Sequence, residues 1–193
     1  GHVRSRPGRV PAGRRGIHSA PQPRSNRPLP FRTMAATPTN VTVHNKAVSD
    51  EAGTVTLRVP KRANGSLEHN RGSIERYSDE GMARADVASV RLDDENLGAI
   101  GFIKIDAEDH ELPVIRGARK LIALHRPNPL IEVLGFGNDP RWEALSAEMT
   151  GLGYEGYALC DGSLERVSNA GALGSSGEKR KVGLNIVFLP DNR

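Results

Sequence analysis

The chain has 193 residues, of which 37% are hydrophobic, and a formal net charge of +4 at pH 7. This length suits one domain of ordinary size with a flanking segment. Residues 1 to 49 hold nine of the 27 basic residues and no acid, whereas the other 18 basic residues accompany all 23 acids, a net charge of −5. A basic nucleic-acid-binding domain is therefore disfavoured, because such a domain needs cationic charge on its folded surface.

The chain contains a single cysteine, Cys160. One cysteine excludes an intramolecular disulfide framework and a cysteine-based zinc cage, and it is typical of a reducing compartment. We therefore expect a cytoplasmic protein in which Cys160 is a small buried residue rather than a nucleophile. No apolar run reaches the roughly 20 residues of a membrane-spanning helix, so no membrane span is expected.

Residues 1 to 39 are predicted to form a disordered Arg- and Pro-rich segment. Its first 33 residues contain eight Arg, six Pro and four Gly and show no hydrophobic period, so they cannot bury enough apolar surface to fold alone. Three other interpretations stay open. The segment could be an arm that binds phosphates or another protein, an organelle-targeting peptide, or a displaced reading frame of a GC-rich gene.

From residue 40 the sequence predicts a series of strands and helices. Strands are expected at residues 41–44, 54–59, 87–92 and 100–105, a helix at 113–125, a strand at 129–134, a helix at 140–151, and strands at 154–160 and 184–189. Residues 60 to 84 are polar and predict a long surface loop, either functional or disordered. Strands that alternate with helices after residue 100 predict an α/β domain with a largely parallel sheet, in which 100–105 is a central strand.

The helix after residue 112 has the clearest pattern. Apolar side chains recur at three- and four-residue spacing from Val114 to His125, with basic residues on the opposite side. Pro113 suits a first helical turn, and Arg126-Pro127 should end the helix.

An acidic segment with one histidine joins the strand at 100–105 to this helix. If the chain stays extended there, Asp106, Glu108 and His110 project from one face. A carboxylate beside a histidine can remove a proton from a hydroxyl. Alternatively, Asp106 and Glu108 cap the helix, whose first turn holds Glu111. A metal site is a third interpretation, although the segment offers no second histidine.

Polar residues also follow two other predicted strands. Asn45, Ser49 and Asp50 are typical turn formers and are candidates for ligand contacts as well. Asp93-Asp94 has the pattern of a turn or a helix cap, with a site carboxylate as the alternative.

Several of these blocks recur together in one known family. They are Val-Thr-Val-His-Asn-Lys-Ala-Val-Ser-Asp-Glu-Ala-Gly from Val41, Val-Arg-Leu-Asp-Asp from Val90, Lys-Ile-Asp-Ala-Glu-Asp-His-Glu from Lys104, Arg-Gly-Ala from Arg116, Arg126-Pro127, and Ile-Glu-Val from Ile131. Over about residues 40 to 190 the sequence closely resembles the FkbM family of S-adenosylmethionine-dependent methyltransferases. The most specific part is Lys-Ile-Asp-x-Glu-x-x-Glu followed by Arg-Gly-Ala.

The resemblance implies a Rossmann-like class I methyltransferase fold and methyl transfer from S-adenosylmethionine to a hydroxyl of a sugar, glycolipid or polyketide-like product. It implies donor contacts at Asn45, Ala47, Ser49, Asp50 and Asp106, and no metal. Catalytic candidates beside the acceptor are Asp106, Glu108, His110 and Glu111, with His110 or Asp106 as the base. The alternative function is a non-enzymatic interaction or nucleic-acid-binding protein that uses the Arg-rich arm.

Two features depart from the family pattern. Asp109 stands where the family normally has glycine, which adds a side chain and a charge at a position where glycine would allow close approach of the backbone. The sequence also lacks the family's Asp-x-Gly-x-Asn-x-Gly loop and acidic second strand. We therefore expect residues 40–193 to be a partial methyltransferase domain with a truncated sheet and impaired activity, whose open sheet edge favours aggregation.

Overall fold

The computed structural model describes residues 40–68, 71–75, 77–78, 80–134, 139–160, 162–167 and 184–191. The predicted disordered segment at 1–39 lies outside these residues. The elements are β1 Ala47–Val48, β2 Gly53–Pro60, β3 Met82–Val90, β4 Phe102–Ile105, α1 Glu111–Gly117, α2 Arg119–His125, β5 Asn128–Val133, α3 Pro140–Gly151, β6 Tyr154–Cys160, β7 Ser163–Arg166 and β8 Leu184–Pro190. A mixed α/β protein is thereby confirmed.

The larger sheet has five strands in the order β4-β5-β8-β6-β7. Only β4 and β5 are parallel, and the other three pairings are antiparallel. The prediction of a largely parallel sheet is wrong for the described residues, because β8 inserts between β5 and β6 and runs against both. The prediction that 100–105 is central is also wrong here, since β4 lies at one end of the sheet.

The smaller sheet has the order β1-β3-β2. Strands β2 and β3 form a long antiparallel pair from Gly53 opposite Ser89 to Pro60 opposite Met82, and β1 pairs in parallel with the end of β3. The predicted strand at 41–44 is wrong, because that segment has no strand pairing and its Val41 and Val43 are exposed. The predicted loop is shorter than 60–84, since β3 already begins at Met82.

The predicted helix at 113–125 is two helices that meet at Ala118. The carboxylate of Asp93, in a 3₁₀ turn that spans Leu92–Asp94, accepts hydrogen bonds from the N–H groups of Lys120 (3.2 Å) and Leu121 (2.9 Å). Asp93 therefore caps the first turn of α2 from a distant part of the chain, and α2 is a separate helix. Arg126 ends α2 with a left-handed φ of 50°.

The helices cover one face of the five-stranded sheet and bury a single apolar core. Buried side chains come from β4, β5, β6 and β8 and from all three helices, and the largest are Trp142, Phe188, Ile115, Ile122, Ile131, Met149 and Ile186. Cys160 is buried in the same core, as predicted. Among the described residues, no helix is long and apolar enough to cross a membrane.

Candidate functional site

The turn after β4 determines the shape of the site. Glu108 and Asp109 have φ values of 49° and 80°, which lie in the left-handed region. The chain is therefore not extended there, and the expectation that Asp106, Glu108 and His110 share one face is wrong. Asp106 is exposed, with its carboxylate 4.0 Å from Lys104 Nζ.

Glu111 stabilises this turn from the first position of α1. Its Oε1 accepts hydrogen bonds from the N–H groups of Ala107 (3.1 Å) and Asp109 (3.2 Å). The capping interpretation placed Asp106 and Glu108 at the start of the helix, whereas the N-cap residue of α1 is His110 and the carboxylate that accepts the N–H groups of the preceding turn is that of Glu111. Burial raises the pKa of Glu111 above its ordinary value, and the backbone hydrogen bonds only partly oppose this rise.

His110 is buried at the centre of a chain of polar side chains. Its Nδ1 lies 2.9 Å from Glu75 Oε1 and its Nε2 lies 3.0 Å from Ser49 Oγ. The Ser49 hydroxyl is also 3.1 Å from Asp50 Oδ1. Glu75, His110, Ser49 and Asp50 thus form a continuous hydrogen-bonded chain between the segment before β3 and the end of β1.

A cavity of about 220 Å³ opens beside this chain, at the carboxyl ends of the parallel strands β4 and β5. Open α/β sheets bind ligands at this edge. The lining residues are Glu75, Asp109, Glu111, Leu112, Pro113, Val133, Leu134, Arg141, Trp142 and Leu145. The wall therefore combines apolar surface with three carboxylates and one guanidinium.

Arg141 neutralises part of the carboxylate charge in this wall. Its guanidinium contacts Asp109 Oδ1 at 2.9 Å and is bound by Asp139, the N-cap residue of α3. These contacts raise the pKa of Arg141, and the hydrogen bond from Arg141 lowers the pKa of Asp139. Asp109 thus keeps the left-handed backbone that suits glycine and adds an ion pair to α3.

Only some of the five residues expected to contact the donor lie close together. Ser49 is buried against His110, Asp50 follows it, and Ala47 lies in β1. Asn45 and Asp106 are exposed. None of these five lines the 220 Å³ cavity, and His110 links Ser49 to Glu75, which does line it.

Gly117, in the Arg-Gly-Ala block, packs directly against Ser49, in the Ala-Val-Ser-Asp block. A Cβ at Gly117 would collide with the carbonyl oxygen of Ser49 and lie 2.9 Å from its carbonyl carbon. Only a glycine allows α1 to pack this closely on the end of β1. The two sequence blocks are therefore parts of one contact.

Sequence reasoning missed Glu75 and Arg141. Glu75 lies in the polar loop, where no periodic pattern distinguishes one acid from another. Arg141 follows Asp139-Pro140, whose pattern indicates the start of a helix and not a cavity wall. In the described part of the chain, no three His, Cys, Asp or Glu residues are grouped so that they could hold a metal ion.

Comparison with known proteins gives one match. The family model described as the methyltransferase FkbM domain matches residues 12–156, which is more than half of the chain. No curated protein and no solved structure matches. The matched region contains the turn after β4, the His110 chain and all of the residues that line the cavity. The chain belongs to the FkbM methyltransferase family.

Proposed function

We propose that this methyltransferase uses S-adenosylmethionine and transfers its methyl group to a hydroxyl oxygen of a sugar, glycolipid or polyketide-like product. The observation that carries this proposal is the 220 Å³ cavity at the carboxyl ends of β4 and β5, lined by the acidic turn of the family. Its mixed apolar and carboxylate wall suits an uncharged, hydroxyl-bearing acceptor. The parallel β4–β5 pair with flanking helices supports a Rossmann-like class I architecture.

The residues at the end of β1 fit a cationic donor. S-adenosylmethionine supplies the methyl group from a positively charged sulfonium, and Asp50, beside Ser49 at the end of β1, offers negative charge there. We assign Asn45, Ala47, Ser49, Asp50 and Asp106 to donor binding. The buried Ser49 hydroxyl and its hydrogen bond to His110 support the assignment.

The acidic turn provides the candidates for acid–base chemistry, Asp106, Glu108, His110 and Glu111. Of these four, Glu111 lines the cavity, and His110 lies behind the wall. Glu111 also fixes the turn through two N–H groups, so it would hold the acceptor side of the site in place. Positioning of the two substrates would then supply most of the rate acceleration.

We also infer weak donor binding by this 193-residue chain. The sequence contains no Asp-x-Gly-x-Asn-x-Gly loop, the part that in the family cradles the methionine end of the donor. A cytoplasmic location is proposed from the use of a single buried cysteine.

Calorimetric titration with S-adenosylmethionine tests the proposal. We expect a dissociation constant below about 1 mM, and about fivefold weaker binding for Ser49→Ala because one hydrogen bond is lost. Ser163→Ala, in the exposed strand β7, is the control and should bind like the wild type. Absence of donor binding by the wild-type chain at about 1 mM would overturn the proposed function.

A further inference from the structure

Glu75 faces the cavity from outside the family's acidic turn. It lies just before β3, lines the 220 Å³ cavity, and its side chain is 53% exposed. Its Oε1 lies 2.9 Å from Nδ1 of His110, whose side chain is only 6% exposed. One end of this carboxylate is therefore anchored by a buried ring while the residue remains open to a ligand.

The segment that carries Glu75 is fixed to the acidic turn. Ser73 is 1% exposed, and its hydroxyl donates to the carbonyl of Glu108 at 2.6 Å. Arg58 and Ser73 exchange two backbone hydrogen bonds of 2.9 Å, and the Glu75 N–H donates to Ser73 Oγ. These contacts hold the Glu75 backbone at a defined distance from the turn.

The other acid–base groups of the site are engaged elsewhere. Both ring nitrogens of His110 have partners, and the ring does not line the cavity. Oε1 of Glu111 accepts two backbone N–H groups, and Asp109 is paired with Arg141. Glu75, by contrast, is a cavity carboxylate that contacts the imidazole of His110 and has a side chain that is 53% exposed.

We propose that Glu75 is the general base for the acceptor hydroxyl and that His110 is the positioning residue behind it. This inference rests on the proposed O-methyl transfer. As the hydroxyl oxygen forms its bond to the methyl carbon, the carbon–sulfur bond breaks and its electron pair stays on sulfur. The hydroxyl proton passes to a Glu75 carboxylate oxygen, so the sulfonium charge and the carboxylate charge are both neutralised.

His110 can hold Glu75 in this role in either of two protonation states. Its Nδ1–H donates to the carboxylate in both. When the ring is neutral, the Ser49 hydroxyl donates to Nε2. When the ring is an imidazolium, the Ser49 oxygen accepts from Nε2–H, and its own proton is donated to Asp50. The ring orientation is thus maintained throughout a proton transfer at Glu75.

The decisive variant is Glu75→Gln, because an amide oxygen can still accept from His110 Nδ1–H but cannot take up a proton. Methyl transfer from methyl-labelled S-adenosylmethionine to a panel of methyl glycosides would be measured together with the donor dissociation constant. We expect kcat to fall about 100-fold or more with donor affinity unchanged within about twofold. Glu80→Gln, an exposed acid outside the cavity wall, is the matched control and should retain wild-type transfer.

The outcomes separate the inference from the proposed function. Transfer by Glu75→Gln within about threefold of the wild type would overturn the general-base role alone. Transfer to no glycoside by a wild-type chain that binds the donor would overturn both the inference and the sugar-type acceptor. Absence of donor binding by the wild type would overturn the proposed function itself.

The role of His110 is tested by combining variants. If His110 acts through Glu75, the double variant Glu75→Gln, His110→Gln should lose no more kcat than Glu75→Gln alone. A further loss in the double variant, with an unchanged unfolding midpoint, would contradict the positioning role. Glu75→Gln keeps this test independent of folding, since its side chain is half exposed.

Discussion

At the scale of single residues, Glu111 combines two opposing effects. Its carboxylate accepts two backbone N–H groups, which favour the ionised form, yet burial disfavours the charge more strongly and raises its pKa. The residue that stabilises the left-handed turn therefore does so at an electrostatic cost. This cost depends on pH, because burial destabilises only the ionised form of the Glu111 carboxyl.

Glu111→Gln should reveal this cost. A carboxyl whose pKa is raised in the folded state is favourable while protonated, and its contribution falls as pH rises from the unfolded pKa through the folded one. The unfolding free energy of the wild type, relative to that of Glu111→Gln, should therefore decrease with pH above 4.5. Denaturant titrations of both proteins between about pH 4 and pH 8 measure this difference. A difference that grows with pH would mean that the two N–H groups outweigh burial.

Gly117 makes a contact that no other residue type allows. Gly117→Ala would press a methyl group against the Ser49 carbonyl, so α1 or the end of β1 must shift. We expect a loss of about 1–3 kcal/mol in unfolding free energy. Gly151→Ala is the matched control, since a Cβ at that end of α3 meets nothing within 4 Å and should change stability by less than about 1 kcal/mol. Equal stabilities of the two variants in urea unfolding would contradict the close contact.

At the scale of elements, one ion pair joins two parts of the cavity wall. Asp109 belongs to the turn after β4, and Arg141 belongs to the first turn of α3. The side chain of Asp109 is 8% exposed and that of Arg141 is 55% exposed. Solvent reaches the guanidinium, so the pair is weaker than a fully buried one.

A double-mutant cycle between Asp109→Ala and Arg141→Ala measures this link. We expect a coupling of about 1 kcal/mol, near the upper end for partly exposed pairs. A cycle between Asp109→Ala and Arg119→Ala is the control, because Arg119 pairs with Glu148. A coupling no larger than in the control cycle would show that the pair does not connect the turn to α3.

Local sequence patterns predicted the elements that depend on local chemistry. Helix α3 follows an Asp-Pro start, and β5, β6 and β8 are short apolar runs, so each lies where it was expected. The break between α1 and α2 was not predictable, because the cap comes from Asp93, far upstream in the chain. Strand direction was missed for a similar reason, since hydrophobic alternation is the same in both directions.

In the candidate site, too, the features set by local sequence were predicted and those set by distant contacts were not. The family motif identified Glu111 and His110, but their geometry depends on two left-handed residues that an extended interpretation excluded. Ser49 was singled out from its position after a predicted strand, and the structure brings it to His110 from 61 positions away. The partner on the other side, Glu75, carries no local pattern at all. Long-range contacts of this kind are fixed by packing and not by spacing.

At the scale of the whole molecule, β4 is the edge strand of the larger sheet as far as the described residues show. In the described part of the chain it pairs with β5 alone, and its first residue, Phe102, is 57% exposed. Unpaired N–H and C=O groups beside an exposed aromatic ring favour pairing with another chain. The expected aggregation should therefore begin at this strand.

Phe102→Lys should therefore reduce self-association. A charge on an edge strand opposes strand pairing between molecules, so the aggregated fraction in light scattering should fall while the unfolding midpoint stays unchanged. Leu124→Lys is the control. Leu124 is 76% exposed on α2, so this substitution removes exposed apolar surface at a position away from the β4 edge. An equal effect of both variants would assign the aggregation to general hydrophobicity. A monodisperse wild-type monomer would contradict the premise.

The position of β8 has a consequence for how the protein is made. Strand β8 follows all the other described strands in the chain, yet it lies between β5 and β6 and pairs with both. During synthesis the β4–β5 pair and the β6–β7 hairpin emerge first, and each is a two-stranded sheet that is marginal by itself. The larger sheet becomes continuous only after residue 190 has left the ribosome. Until then, the nascent chain exposes two strand edges to chaperones and to neighbouring nascent chains.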